Sequence, residues 1–275
     1  MPELPEVETV RRTLNQLIIG KTIERVQVGL RRIIQRPQDP EAFARQLEGR
    51  TFSAVERRGK FLRFVLNDCI LVSHLRMEGR YGLYDKNDDV EKHTHVRFTL
   101  TDGSELRYRD VRQFGTMHLF KPGEEWENNP LKKLGVEPLS PSFTPELLQK
   151  LLQKKTTKIK SFLLNQEYVA GLGNIYVDEA LFRAGLHPER IAGELNAKEI
   201  QALHEAIVTT LKEAIACGGS SIKSYVNGQG EMGMFQLRLN VYGKKAQPCP
   251  ACNQPIERIV VGGRGTHFCP HCQPL

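Results

Sequence analysis

The sequence predicts an α+β protein built from several domains. Three observations predict it. Strand-like apolar patterns dominate up to about residue 120, helical periodicity runs from about Thr144 to Gly219, and the C-terminal segment from about Leu237 combines short strands with two Cys-x-x-Cys pairs.

The elements follow in order. In "MPELPEVETV", Pro5 suits the first turn of a helix, where a missing N–H costs nothing, and Glu6 and Glu8 there complement the helix dipole. Val7, Val10, Leu14, Leu17 and Ile18 recur at helical spacing and Gly20 can end the run, so a helix is predicted from about Pro5 to Ile19. "KFLRFVL" and "CILVSHL" read as strands. "HVRFTLTDGSELRYRD" alternates Val96, Phe98 and Leu100, turns at Asp102-Gly103 and resumes with Leu106 and Tyr108, which is a hairpin pattern. These strands predict a sandwich or barrel-like β-domain. "KPGEEWENNPLKKLGVEPLSPSFTP" is rich in Pro, Gly and charge and reads as a linker. Beyond it, Thr144 is placed as an N-cap before Pro145, "KIKSFLLNQ" and "NIYVDEALFRAG" have helical period, and Asn196 with Glu199 has the spacing of a capping box ahead of a long helix ending at Gly218-Gly219. A polar, Gly-rich stretch, "SSIKSYVNGQGEMGMFQ", comes next.

The 275 residues carry a net charge of +7 and a pI of about 9.1. Such a balance points to an anionic partner, with nucleic acid the commonest. There is no apolar run of the roughly 18 residues a membrane span needs, and no basic leader followed by an apolar stretch, so the expectation is a cytoplasmic protein without a membrane partner.

Several groups could carry chemistry. Cys249, Cys252, Cys269 and Cys272 form "CPAC" and "CPHC", sixteen residues apart. Four thiolates suit one tetrahedral, structural Zn2+ with no open position. Between the pairs, "VVGGRGTHF" reads as a hairpin turn carrying Arg264, either a phosphate ligand or an exposed turn residue. Cys69 and Cys217 sit alone in apolar surroundings, as buried thiols. "GLGN", ending at Asn174, is a glycine-rich turn entering a helix, where free N–H groups face an anion or glycine serves only sterics. "RRGKFL" sets Arg57, Arg58 and Lys60 before a strand, as a charged edge or as a functional cluster. Met77, Arg112 and Phe114 lie in strand-to-loop segments. Apolar side chains beside basic ones there fit a wedge entering a base stack, or ordinary packing. Removal of Met1 would leave Pro2 as a secondary amine. An α-amine titrates near pH 7.7–8.0, so a neutral fraction can attack an electrophilic sugar carbon and form an iminium. Glu3 is close enough in sequence to move protons for it, or the terminus is merely a frayed end.

Taken together and in order, "PELPEVETV", "RRGKFL", "SHLRMEG", "RYRDVRQFGTM", "GLGNIYVDEALFRAG", "GGSSIKSY" and "CPAC…GGRGTHFCPHC" closely resemble the bacterial formamidopyrimidine-DNA glycosylases over nearly the whole chain. The resemblance implies an N-terminal catalytic β-sandwich with flanking helices over residues 1–132. A helix-two-turn-helix domain would follow over 133–236, with a lesion-recognition loop at about 218–236, and then a zinc-finger β-hairpin over 237–275. It implies a monomeric bacterial, nucleoid-associated repair enzyme that acts on double-stranded DNA containing oxidised purines or abasic sites. Pro2 would be the Schiff-base nucleophile, Glu3 the proton shuttle, Lys60 a cation linked with β-elimination, and Arg264 a phosphate ligand linked with δ-elimination. His93, Arg112, Lys155 and Asn174 match DNA-contacting positions, Met77 and Phe114 join Arg112 in filling the gap left by the flipped base, and Ser220 to Tyr225 match the lesion-recognising backbone. Gln113 and Lys223 depart from the residues many relatives carry. The alternatives are an oxidised-pyrimidine glycosylase of the endonuclease VIII type, disfavoured by Leu4, and a non-catalytic damaged-DNA-binding protein, disfavoured by intact Pro2, Glu3 and Lys60.

Overall fold

A computed structural model describes residues 1–220 and 233–275. They form two compact units. The first holds Met1–Lys132 with Gly218–Ser220 and Gly233, the second Lys133–Cys217 with Met234–Leu275. Tyr225 and Lys223, with most of the Gly-rich stretch, lie outside the described residues. No described helix is long and apolar enough to cross a membrane.

The first unit runs α1 (Leu4–Ile18), β1 (Ile23–Val28), β2 (Ile34–Arg36), α2 (Pro40–Leu47), β3 (Phe52–Arg58), β4 (Phe61–Leu66), β5 (Ile70–His74), β6 (Arg80–Asp85), β7 (Thr94–Leu100), β8 (Ser104–Arg109), β9 (Thr116–Phe120) and α3 (Glu124–Glu127). Two sheets result, in the orders β1-β7-β8-β6 and β2-β9-β5-β4-β3. Their inner faces and the apolar side of α1 share one core that includes Leu14, Phe43, Phe64, Phe98 and Tyr108. This is the expected sandwich with flanking helices. The continuous run Ile70–His74 is buried throughout because β5 lies between β9 and β4. β7 and β8 form the expected hairpin, in register Phe98 to Leu106.

Among the helices flanking the sandwich, α2 interrupts the strands: Asp39 caps it by accepting from the Glu41 and Ala42 amides, and Phe43 and Leu47, one turn apart, are buried. The stretch read as a linker is partly structural. Its residue Glu125 is wholly buried in α3, with Arg63 Nη2 2.6 Å from Glu125 Oε1, and Val136 bridges Val169 in parallel in the second unit. A pattern of Pro, Gly and charge cannot reveal that one acid has a cationic partner 62 positions earlier.

The second unit contains α4 (Pro145–Leu152), α5 (Ile159–Leu164), α6 (Asn174–Ala184), α7 (Ala197–Ala216), β10 (Glu257–Val261) and β11 (Arg264–Phe268). Thr144 Oγ1 accepts the Leu147 amide at 3.2 Å, and Asn196 and Glu199 make the capping box expected of them. Cys217 ends α7 half-buried rather than buried, whereas Cys69 is buried and its thiol is pushed up to about 11, first by burial and then by Asp68. β10 and β11 pair as a hairpin across Gly262 and Gly263, at φ 56° and 75°, a two-residue turn that strongly favours glycine.

Candidate active site

The N-terminus begins with an acidic cap. Glu3 is the N-cap of α1 and Glu6 is its third residue, and the two cap each other, with the Glu3 amide donating to Glu6 Oε2 at 2.8 Å. The other oxygen, Glu6 Oε1, accepts the Ser220 amide at 2.6 Å. Pro2, Glu3, Glu6 and Ser220 are all buried while Met1 is exposed. The Pro-Glu repeat therefore has a local cause, helix capping, and it leaves the Pro2 nitrogen immediately before a buried carboxylate. Ser220 Oγ is buried without a hydrogen-bond partner among the described residues.

Lys60 follows Gly59 in the turn between β3 and β4, and it is only 6% exposed. A solvated strand edge does not describe it. Glu8 of α1 pairs with Arg57 at 3.4 Å, and Arg57 Nη1 donates to Gly59 O at 2.9 Å, so α1 is tied to the turn that carries Lys60. Burial would raise the Glu8 carboxyl, but Arg11, Arg12 and Arg57 outweigh it and hold the group below its ordinary value. His74, at the end of β5, was not singled out in the sequence. Burial first, then Arg76 and Lys60, push it down to about 3, so it is neutral. Its Nδ1 accepts the Arg76 amide at 2.9 Å, which leaves the ring proton on Nε2.

Met77 is 37% exposed and Phe114 52%, and Arg112 is exposed with its Cζ 5.2 Å from the Phe114 ring centroid. Core packing does not account for these side chains. His93, at φ 71°, is joined to the Arg112 turn because its carbonyl accepts the Asp110 amide at 3.0 Å. Gln113 accepts from Arg32 Nη2 at 2.7 Å, so a guanidinium reaches this turn.

In the second unit, Asn174 opens α6 and its Nδ2 donates to Gly265 O at 2.8 Å, beside the exposed Arg264 of the hairpin. A fully buried pair supports that contact. Lys160 Nζ reaches Asp178 Oδ1 at 2.6 Å and Gly265 O at 3.2 Å, and Asp178 Oδ2 accepts the His267 amide at 2.8 Å. Sequence reading missed this pair because nothing local marks a lysine and an acid 18 positions apart as partners. Lys155 stands elsewhere, half-buried, with Nζ 3.1 Å from the Tyr168 hydroxyl.

The four cysteines form the only His/Cys/Asp/Glu group able to hold a metal among the described residues, with all four sulfurs within 4.8 Å of one another. Sγ separations of 3.9 Å (Cys249–Cys272) and 3.4 Å (Cys252–Cys269) bracket the roughly 3.8 Å expected around a tetrahedral zinc with bonds of about 2.3 Å. The apolar cluster beside them is small, Val241 and Ile256 with the buried cysteines, so metal binding is needed to hold the module. The set fits one structural zinc.

Three family models match the chain. Residues 1–117 match the formamidopyrimidine-DNA glycosylase N-terminal domain, 134–226 its H2TH domain, and 246–275 the zinc finger found in FPG and IleRS. The chain is 66% identical over 273 residues to the formamidopyrimidine-DNA glycosylase of Brevibacillus brevis, covering 99% of each, and 59% identical to that of Bacillus subtilis, again covering 99% of each. Among solved structures it is similar to Lactococcus lactis Fpg bound to DNA containing N7-benzyl-Fapy-dG (43% identity, TM-score 0.93, all of both chains) and to the complex of that protein with abasic-site DNA (43%, TM-score 0.94, 99% of this chain and 100% of that one).

Proposed function

Because the chain belongs to the formamidopyrimidine-DNA glycosylase family, we propose that the Pro2 amine, freed by removal of Met1, is the nucleophile with which it excises oxidised purines. The protein is a DNA glycosylase of base excision repair, acts on damaged double-stranded DNA and carries one structural zinc. The observation that carries the residue assignment is the N-terminal cap. Pro2 sits directly before the buried Glu3, whose amide is held by Glu6, which in turn holds Ser220.

In this reading a target base inside a duplex is unreachable, so the nucleotide is flipped out. The neutral Pro2 amine attacks C1′, the bond from C1′ to the base breaks, and the departing base takes a proton. Glu3 shuttles that proton and those that follow. The sugar ring then opens: the C1′–O4′ bond breaks, O4′ takes a proton, and the iminium that forms between C1′ and the Pro2 nitrogen acidifies the C2′ hydrogen. Its loss breaks the C3′–O bond, a second elimination breaks the C5′–O bond, and hydrolysis frees Pro2. Lys60 places a cation at the reacting sugar and its phosphate. Arg264 and Asn174, linked through Gly265, grip neighbouring phosphates, with Lys155 and His93 as further backbone contacts. Met77, Arg112 and Phe114 fill the vacated stack. Ser220, and Tyr225 outside the described residues, serve lesion recognition. Such work places the protein on the nucleoid.

Borohydride trapping on a duplex carrying 8-oxoguanine opposite cytosine tests this. The expected result is a covalent adduct that vanishes in Pro2→Gly, with an intact mass that lacks Met1. No adduct from zinc-loaded, DNA-binding protein would overturn the assignment, and adducts only with oxidised pyrimidines would move it to the endonuclease VIII type.

A further inference from the structure

The two turns that carry Met77 and Arg112–Phe114 close on one buried side chain. β5 and β9 are neighbours in one sheet, and β6 and β8 are neighbours in the other. The connections β5–β6 (Leu75–Gly79) and β8–β9 (Asp110–Gly115) therefore cross the sandwich edge side by side. Tyr108, near the end of β8, is fully buried. Its hydroxyl donates to Asp110 Oδ2 at 3.3 Å. A Cβ on Gly79 would collide with that hydroxyl and fall 2.6 Å from Leu75 O, and a Cβ on Gly115 would collide with the same hydroxyl. Each turn thus ends on a glycine because the tyrosine oxygen occupies the space beside it.

The hydrogen bonds run the same way. Asp110 accepts the Arg112 amide on Oδ1 at 3.1 Å and the Gly115 amide on Oδ2 at 2.8 Å, so the one carboxylate spans its turn. In the other turn the Gly79 amide donates to Leu75 O at 2.9 Å. Each turn holds a non-glycine residue in the left-handed region, Arg76 at φ 53° and Gln113 at φ 60°. Such residues persist where the surroundings over-determine them. The Tyr108 ring packs 5.1 Å from Tyr81, whose hydroxyl donates to Ser73 Oγ at 2.8 Å and so returns to β5.

A core position that needed only apolar bulk would be served by phenylalanine, without a hydroxyl to desolvate. We propose that Tyr108 and Asp110 are a positioning pair that couples the two turns, so that Met77 and Arg112–Phe114 enter the base stack as one preset unit. This rests on reading those three side chains as the stack-filling wedge. Coupling matters because a wedge ordered before binding loses less freedom on insertion.

The test is Tyr108→Phe in the full-length, zinc-loaded protein, with Asp110→Asn as a second variant and Met77→Ala as the wedge control. One substrate is a duplex carrying 8-oxoguanine opposite cytosine, with 2-aminopurine beside the lesion to report unstacking. The other is a single strand with a preformed abasic site, which has no duplex stack to open. Tyr108→Phe is expected to slow both the fluorescence rise and excision on the duplex by about tenfold, the worth of one buried hydrogen bond to a charged group, with single-strand cleavage within about twofold. Asp110→Asn is expected to act in the same direction. If Met77→Ala slows the duplex reaction and both pair variants do not, the coupling is overturned and the wedge reading stands. If Met77→Ala slows nothing, the wedge reading fails and the proposal with it. Equal slowing on both substrates would reduce the pair to a general structural role.

Discussion

Glu3 and Glu6 show how two residues can cap a helix and hold a distant segment together. Their spacing is that of a capping box, and the structure uses it so, but both carboxylates are buried and one also holds the Ser220 amide. His74 is the other informative residue. It is neutral in the fold because burial, Arg76 and Lys60 depress its pKa to about 3, and His118 follows to about 4 through burial, Arg36 and Arg76. An unfolded histidine titrates near 6.5, so between these values the unfolded chain binds more protons and stability falls as pH falls; above 6.5 the term is flat. The His74→Asn variant keeps an acceptor for the Arg76 amide and loses the titration. Its unfolding free energy, followed by urea denaturation, is expected to drop by about 2 kcal/mol less than that of the parent between pH 7 and pH 5. An unchanged pH slope would show that His74 is protonated in the fold.

At the scale of elements, the C-terminal hairpin is the part with least core of its own. Cys269→Ser, or a strong chelator, is expected to release the single zinc, open the segment after Ala246 to proteolysis and weaken DNA binding by the loss of Arg264 placement, while the N-terminal sandwich keeps its unfolding transition. Metal content by mass spectrometry and fluorescence anisotropy read this out, and tight binding by metal-free protein would contradict it. The other support of the hairpin is the Lys160–Asp178 pair, wholly buried and joined to Gly265 O and the His267 amide. Removing one member of a buried pair leaves the other charge uncompensated, so Lys160→Met is expected to destabilise the C-terminal unit by about 3–5 kcal/mol, measurable by calorimetry. A double replacement of both by apolar residues is expected to recover part of that loss.

At the scale of the whole molecule, the charge of +7 acts through the substrate backbone. Each cationic phosphate contact steepens the fall of log affinity with log salt by about 0.9 on B-form DNA. Arg264→Ala is therefore expected to reduce that slope by about one, uniformly across lesion sequences, when titrated by anisotropy over a range of salt. Phe114→Ala, which removes no charge, is expected to leave the slope unchanged. A slope unmoved by Arg264→Ala would place that side chain off the phosphates.

The sequence by itself determined the order and type of most elements and the four-cysteine zinc set. Those signals are local: a period of two or 3.6, a cap three residues from its partner, cysteines two apart. It could not assign α3, because the burial of Glu125 depends on an arginine two strands into the sheet, nor α2, whose Asp39 cap sits in a short polar stretch. "RRGKFL" left Lys60 open between a solvated edge and a functional cation, and only the folded chain shows it buried. Likewise Met77, Arg112 and Phe114 are three separate loop residues in the chain. Strand order alone, β5 beside β9 and β6 beside β8, puts their turns next to one another with a single tyrosine hydroxyl against the glycine that ends each. Spacing along a chain encodes partners within one element; partners in different elements are chosen by which strands pair and which faces are buried, and that is settled only in the folded state.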